Sequence, residues 1–173
     1  VMAVLSVNHL DSFENLADDA YRQAYIEHLC NAGYDIAENT DGSIGIYLRL
    51  APEIAGPTEG FYWLINDETG ELELEENTNI TQYPREDTEH VGWYYEPVEA
   101  GCAIWMDPYE NQNINRIIVS YAKPIYKDGQ LIGIVGMDVD WPYITDMIDD
   151  IKLYETGYAF LADEEFIYLK SSA

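Results

Sequence analysis

The feature that most constrains the fold is a pair of long strand-like segments around a tight turn. Residues 116–126 are rich in Ile, Val and Tyr, residues 127–129 form a short turn that ends in Gly129, and residues 130–139 are nearly all apolar. Two such runs separated by so few turn residues predict an antiparallel β-hairpin. Because the second run has few polar residues, we expect it to be a central strand.

The rest of the chain divides into helical and strand-like patterns. Apolar residues recur every three or four positions over residues 8–38, which predicts one long amphipathic helix. A second helix is predicted from Trp141, with Pro142 in its first turn. Residues 76–115 show no clear period and are predicted to be a long loop of the kind that is commonly functional. Further strands are predicted at residues 44–50, 60–65, 71–75, 157–163 and 166–169. This order indicates an α+β fold, an antiparallel sheet flanked by helices.

The charge balance argues against two classes of partner. The chain has 33 acidic and 8 basic side chains, a formal net charge of −25. Nucleic acids and anionic membrane surfaces are bound by basic patches, so neither is expected as a direct partner. Disorder is not expected either, because 47% of the residues are hydrophobic and 13% are aromatic, enough to bury a core.

The sequence contains little that would indicate a membrane segment, a leader peptide or a redox-active cysteine pair. No segment approaches the roughly 20 apolar residues that cross a bilayer, and no basic-then-apolar leader starts at Val1, which favours a soluble piece or a mature chain. Cys30 and Cys102 match no CxxC spacing. Two unpaired, partly buried thiols and a disulfide between them are both open interpretations.

Motifs for catalysis and metal binding are absent from the sequence. It contains no GxSxG, GxxxxGK[ST], HExxH, or GxGxxG after a strand. His9, His28 and His90 are predicted to be isolated from one another, so no zinc site is expected, and His28 is interpreted as a surface or packing residue. Residues 67–76 lack the calcium-loop pattern. We therefore expect no metal, no cofactor and no enzymatic activity.

Two signals point instead to a small-ligand pocket. Residues 90–97 and 105–111 place two Trp and three Tyr among polar groups in the predicted loop, and aromatic walls with a few polar groups are typical of ligand pockets. A secondary core under the loop is the alternative. Asp138 ends the predicted central strand, where a buried carboxylate is costly unless it is paired. An ammonium group of a ligand would supply that pairing.

At these residues the sequence resembles a known family. The run GWYYEP…WMDPY…VSYAKPIYKDGQLIGIVGMDVDW…TGYAFLAD is similar to the double Cache module, the extracytoplasmic ligand-binding region of bacterial chemoreceptors, sensor histidine kinases and diguanylate cyclases. The resemblance covers essentially the whole chain. It implies a long N-terminal helix (residues 1–40), a membrane-distal PAS-like ligand-binding domain (residues 41–152) and the beginning of a membrane-proximal domain (residues 153–173).

The resemblance also implies binding residues. In amino-acid-binding members, an Arg-x-Trp-Tyr motif holds the ligand carboxylate, and a later Tyr with two acidic or amide residues holds its ammonium. The Arg position is Val91 here, so Arg85 or His90 would have to substitute. The motif positions and the other aromatic or polar residues of this region make up the candidate ligand-binding set: Trp93, Tyr94, Trp105, Asp107, Tyr109, Asn111, Tyr121 and Asp138.

The motif Arg that would bind a ligand carboxylate is missing, whereas the residues that would bind the ligand ammonium are present. This combination favours a cationic ligand. Aromatic faces and a buried carboxylate suit an amine or an amino-acid-like molecule. The resemblance implies that such a ligand signals across the membrane of the anchored parent protein. Residues 76–115 are then the expected lid, and the helix over residues 8–38 is the expected lever or homodimer contact.

Two other functions are weighed against this one. A hydrolase would need paired carboxylates, for which Asp138, Asp107 and Glu96 are the candidates. A protein-interaction or scaffolding domain would use the aromatic patch to meet another protein. The missing catalytic motifs disfavour the hydrolase.

Overall fold

The strand-like segments form one antiparallel sheet in the computed structural model, which describes residues 1–112, 114–152, 154–155, 157–163 and 168–171. Within these residues the sheet has seven strands in the order β3-β2-β1-β7-β6-β4, and β5 also pairs with β6. The strands are β1 (Ser43–Leu50), β2 (Gly60–Ile65), β3 (Leu72–Leu74), β4 (Ile104–Trp105), β5 (Tyr109–Asn111), β6 (Arg116–Lys127) and β7 (Gln130–Asp140).

The hairpin predicted around Gly129 is confirmed. Strands β6 and β7 pair from Ile118 opposite Asp140 to Lys127 opposite Gln130. Strand β7 also pairs with β1, so it lies inside the sheet as its apolar sequence predicts. The short helix α3 (Pro52–Ala55) follows β1, and the helix α5 (Trp141–Asp149) follows β7 with a proline in its first turn. The α+β fold expected from the sequence is therefore confirmed.

Both faces of β1 are covered, because all eight of its residues are buried. Ile46 and Leu48 pack on one face with Leu29 of the long helix α2 (Asp19–Glu38). Tyr47 packs on the opposite face with Trp93 of the helix α4 (Thr88–Ala100). The sheet is thus enclosed between the N-terminal helices and α4.

The prediction of one continuous helix over residues 8–38 is wrong. The structure has α1 (Met2–His9), a 3-10 turn at Phe13–Ala17, and then α2. Asp18 is extended, and its side chain accepts a hydrogen bond from the Tyr21 backbone N–H at 2.8 Å, which caps α2. The apolar period continues through this break, where Leu10 after α1 and Leu16 in the 3-10 turn are both fully buried.

The imidazole rings of His9 and His28 stack with 3.6 Å between their centroids. The expectation that the two residues are isolated from each other is wrong, since the reversal between α1 and α2 brings them together. His28 is an exposed packing residue, as predicted.

The prediction that residues 76–115 form a loop is also wrong in its middle part, where α4 lies. Asp87 caps this helix by accepting a hydrogen bond from the His90 backbone N–H, and Gly101 ends it in the left-handed conformation. Gly92 and Pro97 lie inside α4 and concealed its helical period.

The C-terminal part forms a separate sheet of two strands within the described residues, β8 (Phe160–Ala162) and β9 (Tyr168–Ser171). They pair antiparallel, which confirms the predicted pairing of this region, while residues 164–167 lie outside the described residues. No helix among the described residues is long and apolar enough to cross a membrane. Cys30 and Cys102 are unpaired; Cys30 is half-buried and Cys102 is exposed.

Candidate functional site

Strand register brings the polar side chains of the site to one face of the sheet. Tyr47 lies opposite Tyr62 on β2 and opposite Gly136 on β7, and Gly45 lies opposite Asp138. Because side chains alternate along a strand, Tyr62 and Asp138 share the face of Tyr47. Helix α4 places Trp93 over this face, next to a cavity of about 30 Å³ that is lined by Tyr47, Arg49, Tyr62, Thr78, Trp93, Asn111 and Asp138.

Asp138 is the buried carboxylate of the cavity, with 3% of its surface exposed. Ser120 Oγ donates a hydrogen bond to its Oδ1 at 2.6 Å, and the Tyr62 hydroxyl donates to its Oδ2 at 2.9 Å. Burial raises the pKa of Asp138 to about 6, although both hydrogen bonds oppose the rise. The group is therefore mostly ionised at neutral pH, and no cation among the described residues pairs with it.

A hydrogen-bond network extends from Asp138 towards β5. Ser120 gives its hydroxyl hydrogen to Asp138, so Tyr109 donates to Ser120 Oγ at 3.0 Å. Asn111 Nδ2 in turn donates to the Tyr109 hydroxyl oxygen at 3.4 Å. Burial, together with the Asp138 charge, raises the pKa values of Tyr62 and Tyr109, so both hydroxyls stay protonated donors.

Arg49 supplies a positive charge that sequence reasoning did not identify. It is 2% exposed, and its Cζ lies 5.5 Å from the centroid of the Trp93 ring. Its Nη1 donates to the carbonyls of Thr78 (2.5 Å) and Pro57 (3.2 Å), and Nη2 donates to Asn77 Oδ1 at 2.7 Å. Burial lowers the pKa of Arg49 to about 10, so the guanidinium stays charged at neutral pH.

Two buried donors of the cavity have no hydrogen-bond partner among the described residues, Arg49 Nε and the Tyr47 hydroxyl. Tyr47 is 5% exposed, and its ring packs edge-on against Trp93 with 5.2 Å between centroids. Burial and the nearby Asp138 charge raise the pKa of Tyr47 well above its usual value. Buried donors without partners are uncommon in proteins, which makes this face the candidate site.

The candidate residues from the sequence divide into two groups. Trp93, Asn111 and Asp138 line the cavity, and Tyr109 reaches it through Ser120. Tyr94, which is 2% exposed, packs in the aromatic core around Trp93, and Val91 at the motif Arg position is fully buried in the same cluster.

The remaining candidates lie away from the cavity. Trp105 is 63% exposed and packs against Tyr121 with 4.9 Å between ring centroids. Tyr121 follows Ser120 on β6, so strand alternation turns it to the opposite face. Asp107 is exposed on the segment between β4 and β5. Of the carboxylates considered for a hydrolase, Asp138 alone lines the cavity among the described residues.

The proposed substitutes for the motif Arg are engaged elsewhere. Arg85 is exposed and lies 5.0 Å from the Tyr95 ring centroid, and the His90 ring contacts Asp87 at 2.9 Å. The sequence feature that could have identified Arg49 is its position as the single charged residue in the strand predicted over residues 44–50. Within the part of the chain that the structure describes, no group of three or more His, Cys, Asp or Glu side chains could hold a metal ion.

Curated relatives are bacterial chemoreceptors. The chain is 33% identical over 73 residues to the methyl-accepting chemotaxis protein McpA of Pseudomonas putida, which covers 41% of this chain and 11% of the relative. It is 29% identical over 101 residues to McpB of Bacillus subtilis, covering 54% of this chain and 15% of the relative. The chain therefore matches only a small part of the length of these proteins.

Solved structures of sensor domains share the fold. The ligand-binding domain of the Campylobacter jejuni chemoreceptor Tlp3 in complex with L-norvaline superposes with a TM-score of 0.64 at 18% identity, covering 99% of this chain and 58% of that one. The extracellular domain of the putative histidine kinase mmHK1S-Z3 gives a TM-score of 0.69 at 18% identity, covering 99% of this chain and 60% of that one.

A family model identifies the sensor module itself. Residues 34–146, more than half of the chain, match the model described as methyl-accepting chemotaxis protein-like, first PDC sensor domain. This stretch contains the sheet, α4 and every residue that lines the cavity. The resemblance to a Cache-type sensor is confirmed: the chain belongs to the methyl-accepting chemotaxis protein-like family of PDC sensor domains.

Proposed function

We propose that this sensor domain binds a small ligand that carries an ammonium group, an amine or an amino acid, with Asp138 as the charge partner. The observation that carries the proposal is a buried, mostly ionised carboxylate that lines a cavity and has no cationic partner among the described residues. A cation that enters the cavity would relieve the cost of this unpaired charge.

The aromatic surroundings of Asp138 suit the same ligand. Trp93, Tyr47 and Tyr62 pack edge-on around the cavity, with 5.2 Å between the Tyr47 and Trp93 centroids and 6.0 Å between the Tyr47 and Tyr62 centroids. Ring faces attract cations through their quadrupoles, and the attraction is strongest where water is excluded. The Tlp3 domain, which shares this fold, has been solved with L-norvaline and with isoleucine, both ammonium-bearing molecules.

Binding requires the cavity to open. A volume of about 30 Å³ holds one or two water molecules, less than an amino acid needs. Helix α4 carries Trp93 and is the element that covers the site, so we propose that it is the moving lid. The ligand would then shift the equilibrium between the open and closed states of the domain. The size of the shift depends on how much the ligand's affinities for the two states differ.

The signal would leave the site through β1. Its Tyr47 and Arg49 side chains line the cavity, while Ile46 and Leu48 pack under α2 on the other face. We propose that the domain lies outside the cytoplasm in a membrane-anchored receptor, with α2 as the lever or the homodimer contact. Residues 1–40, 41–152 and 153–173 remain the proposed units. Sedimentation that finds only monomers at every concentration would remove the dimer contact.

A thermal-shift screen tests the proposal. Primary amines and amino acids are expected to raise the melting temperature, whereas carboxylic acids, dicarboxylates and purines are not. The Asp138→Asn variant should lose the shift. If dicarboxylates or purines alone stabilise the domain, and Asp138→Asn leaves that effect intact, Asp138 is not the ligand's charge partner.

A further inference from the structure

We infer that residues 57–60 form a linking segment that couples the ligand cavity to the first turns of α2. The inference rests on the proposed function, in which α2 is the lever, and it adds a polar route to the apolar packing of β1 under that helix. The route runs from Arg49 in the cavity lining, through the linking segment, to Arg22 near the beginning of α2.

Arg49 and Asn77 hold the linking segment on its cavity side. The Arg49 guanidinium donates from Nη1 to the Pro57 carbonyl at 3.2 Å and from Nη2 to Asn77 Oδ1 at 2.7 Å. Asn77 Nδ2 then donates to the carbonyls of Thr58 and Gly60, each at 3.0 Å. A displacement of the guanidinium therefore acts on the segment directly at Pro57 and through Asn77 at the other two carbonyls.

The remaining carbonyl of the linking segment is held by β1 itself. The Glu59 carbonyl accepts a hydrogen bond from the Leu50 backbone N–H at 2.9 Å, and Gly60 lies opposite Arg49 in the pairing of β1 with β2. Since each carbonyl of the segment accepts a hydrogen bond, a local rearrangement that absorbed the movement would have to break some of them. The segment is therefore expected to move as one unit with β1 and Asn77.

Glu59 joins the linking segment to α2. Its Oε2 accepts a hydrogen bond from Gln23 Nε2 at 3.0 Å and lies 3.5 Å from Arg22 Nε in an ion pair. Arg22 is anchored in turn, because its Nη1 donates to the Leu16 carbonyl at 2.9 Å and its Nη2 donates to Asp19 Oδ1 at 2.7 Å. The side chains of Arg22 and Glu59 are 11% and 27% exposed, so solvent screens their attraction only in part. Movement of Glu59 is thus passed to the N-terminal turns of α2.

The polar and apolar routes reach different parts of α2. The apolar packing of β1 reaches Leu29 in the middle of the helix, whereas Glu59 contacts Arg22 and Gln23 nearer its beginning. A ligand that repositions Arg49 would therefore act on residues 19–24 through the linking segment. Residues 29–38 lie further along the helix and serve as an internal reference.

Amide hydrogen exchange of the unliganded domain is the first test. Asn77→Asp keeps the acceptor oxygen for Arg49, but it replaces the Nδ2 donor with an oxygen that repels the Thr58 and Gly60 carbonyls. We expect residues 19–24 to exchange at least threefold faster in this variant than in the unmodified domain, with residues 29–38 unchanged. Equal exchange of residues 19–24 in the two proteins contradicts the link.

Asn79→Asp is the matched control for this variant. It introduces the same charge two residues away, and aspartate retains the Oδ1 acceptor that Asn79 offers to the Thr81 backbone N–H and hydroxyl. Exchange of residues 19–24 should be the same as in the unmodified domain. An acceleration equal to that of Asn77→Asp would contradict the link, because it would come from the added charge alone.

The response to a ligand is the second test. Saturating n-butylamine, a simple primary amine, is expected to change the exchange of residues 19–24 in the unmodified domain by at least threefold. Glu59→Ala removes the contacts with Arg22 and Gln23 and should abolish this change. The variant should still bind n-butylamine, because Glu59 is not among the described residues that line the cavity. Glu38→Ala is the matched control, an exposed carboxylate at the other end of α2, and it should keep the change.

The outcomes separate the link from the proposed function. If n-butylamine binds without changing residues 19–24, or if the change persists in Glu59→Ala, the link is wrong. If calorimetry shows no binding of n-butylamine to the unmodified domain, the proposed function fails, and the unliganded exchange of Asn77→Asp decides the link by itself. Should Asn77→Asp not fold, the unliganded exchange of Glu59→Ala takes its place, with the same acceleration of residues 19–24 expected and equal exchange contradicting the link.

Discussion

Tyr47 and Gly136 are direct partners across β1 and β7, and the Tyr47 ring occupies the space that a side chain at residue 136 would need. A Cβ at this position would overlap the Cζ and hydroxyl atoms of Tyr47. The glycine thus allows a large aromatic residue to lie across β7 beside Asp138. The width of the cavity depends on this pairing.

Gly136→Ala is expected to weaken ligand binding by at least tenfold. The added methyl group displaces the Tyr47 ring, which lines the cavity and packs against Trp93. The measurement is the calorimetric Kd for n-butylamine.

Gly70→Ala is the control for general destabilisation. Gly70 has a φ of 72°, and a Cβ built there meets no atom of the described residues within 4 Å, so alanine strains the turn without touching the cavity. It should lower the free energy of unfolding by about 1 kcal/mol and leave the Kd unchanged. Similar Kd values for both variants would show that the Tyr47–Gly136 contact does not shape the site.

Asp138→Asn is expected to stabilise the unliganded domain at neutral pH. Burial raises the pKa of Asp138 from 3.8 to about 6, so between these values the folded state binds more protons than the unfolded state. Stability therefore falls as the pH rises through this window, by a total on the order of 3 kcal/mol above it. Urea denaturation should show the variant to be more stable at pH 7.5, with the difference lost below pH 4. Lower stability of the variant at pH 7.5 would contradict the unpaired charge.

Ligand affinity is expected to fall in acid. An ammonium group pairs with the ionised form of Asp138, so protonation of the carboxyl below about pH 6 competes with binding. The Kd should rise by up to tenfold per pH unit below that value. Titrations between pH 4.5 and 8 measure this profile, and a flat profile would place the ligand's charge elsewhere.

Leu29→Ala is expected to cost about 2–5 kcal/mol of unfolding free energy. Leu29 on α2 is fully buried in the cluster that contains Ile46 and Leu48 of β1. Leu74→Ala on β3 is the matched control, since Leu74 is 56% exposed, and it should cost less than about 0.5 kcal/mol. Chemical denaturation of both variants checks the packing of α2 on the sheet.

Much of the fold could be predicted because its signals are local. The turn at Gly129 and the apolar run before Asp138 were sufficient to place the β6–β7 hairpin and a carboxylate in its inner strand. The break before Asp18 could not be predicted, because Leu10, Phe13 and Ala17 keep a helix-like spacing across it. Helix α4 was missed because Gly92 and Pro97 lower helix propensity, which packing over the sheet overrides.

The site was harder to predict because it depends on strand register. Asp138 was identified as a residue that needs a partner, but Tyr62 and Arg49 reach the same cavity only through the pairing of β1 with β2 and β7. Trp105 and Tyr121 were grouped with the pocket by their aromatic character, yet alternation along β6 turns Tyr121 away from it. No pattern in one segment reports the register between segments.

The most direct measurement of the central claim is a calorimetric titration of n-butylamine into the unmodified domain and into Asp138→Asn. Asparagine preserves the shape of Asp138 and removes its charge, and the urea experiment shows separately whether the variant is folded. The account predicts measurable binding to the unmodified domain and a loss of at least tenfold in affinity in the variant. Equal affinity for the two proteins would contradict it.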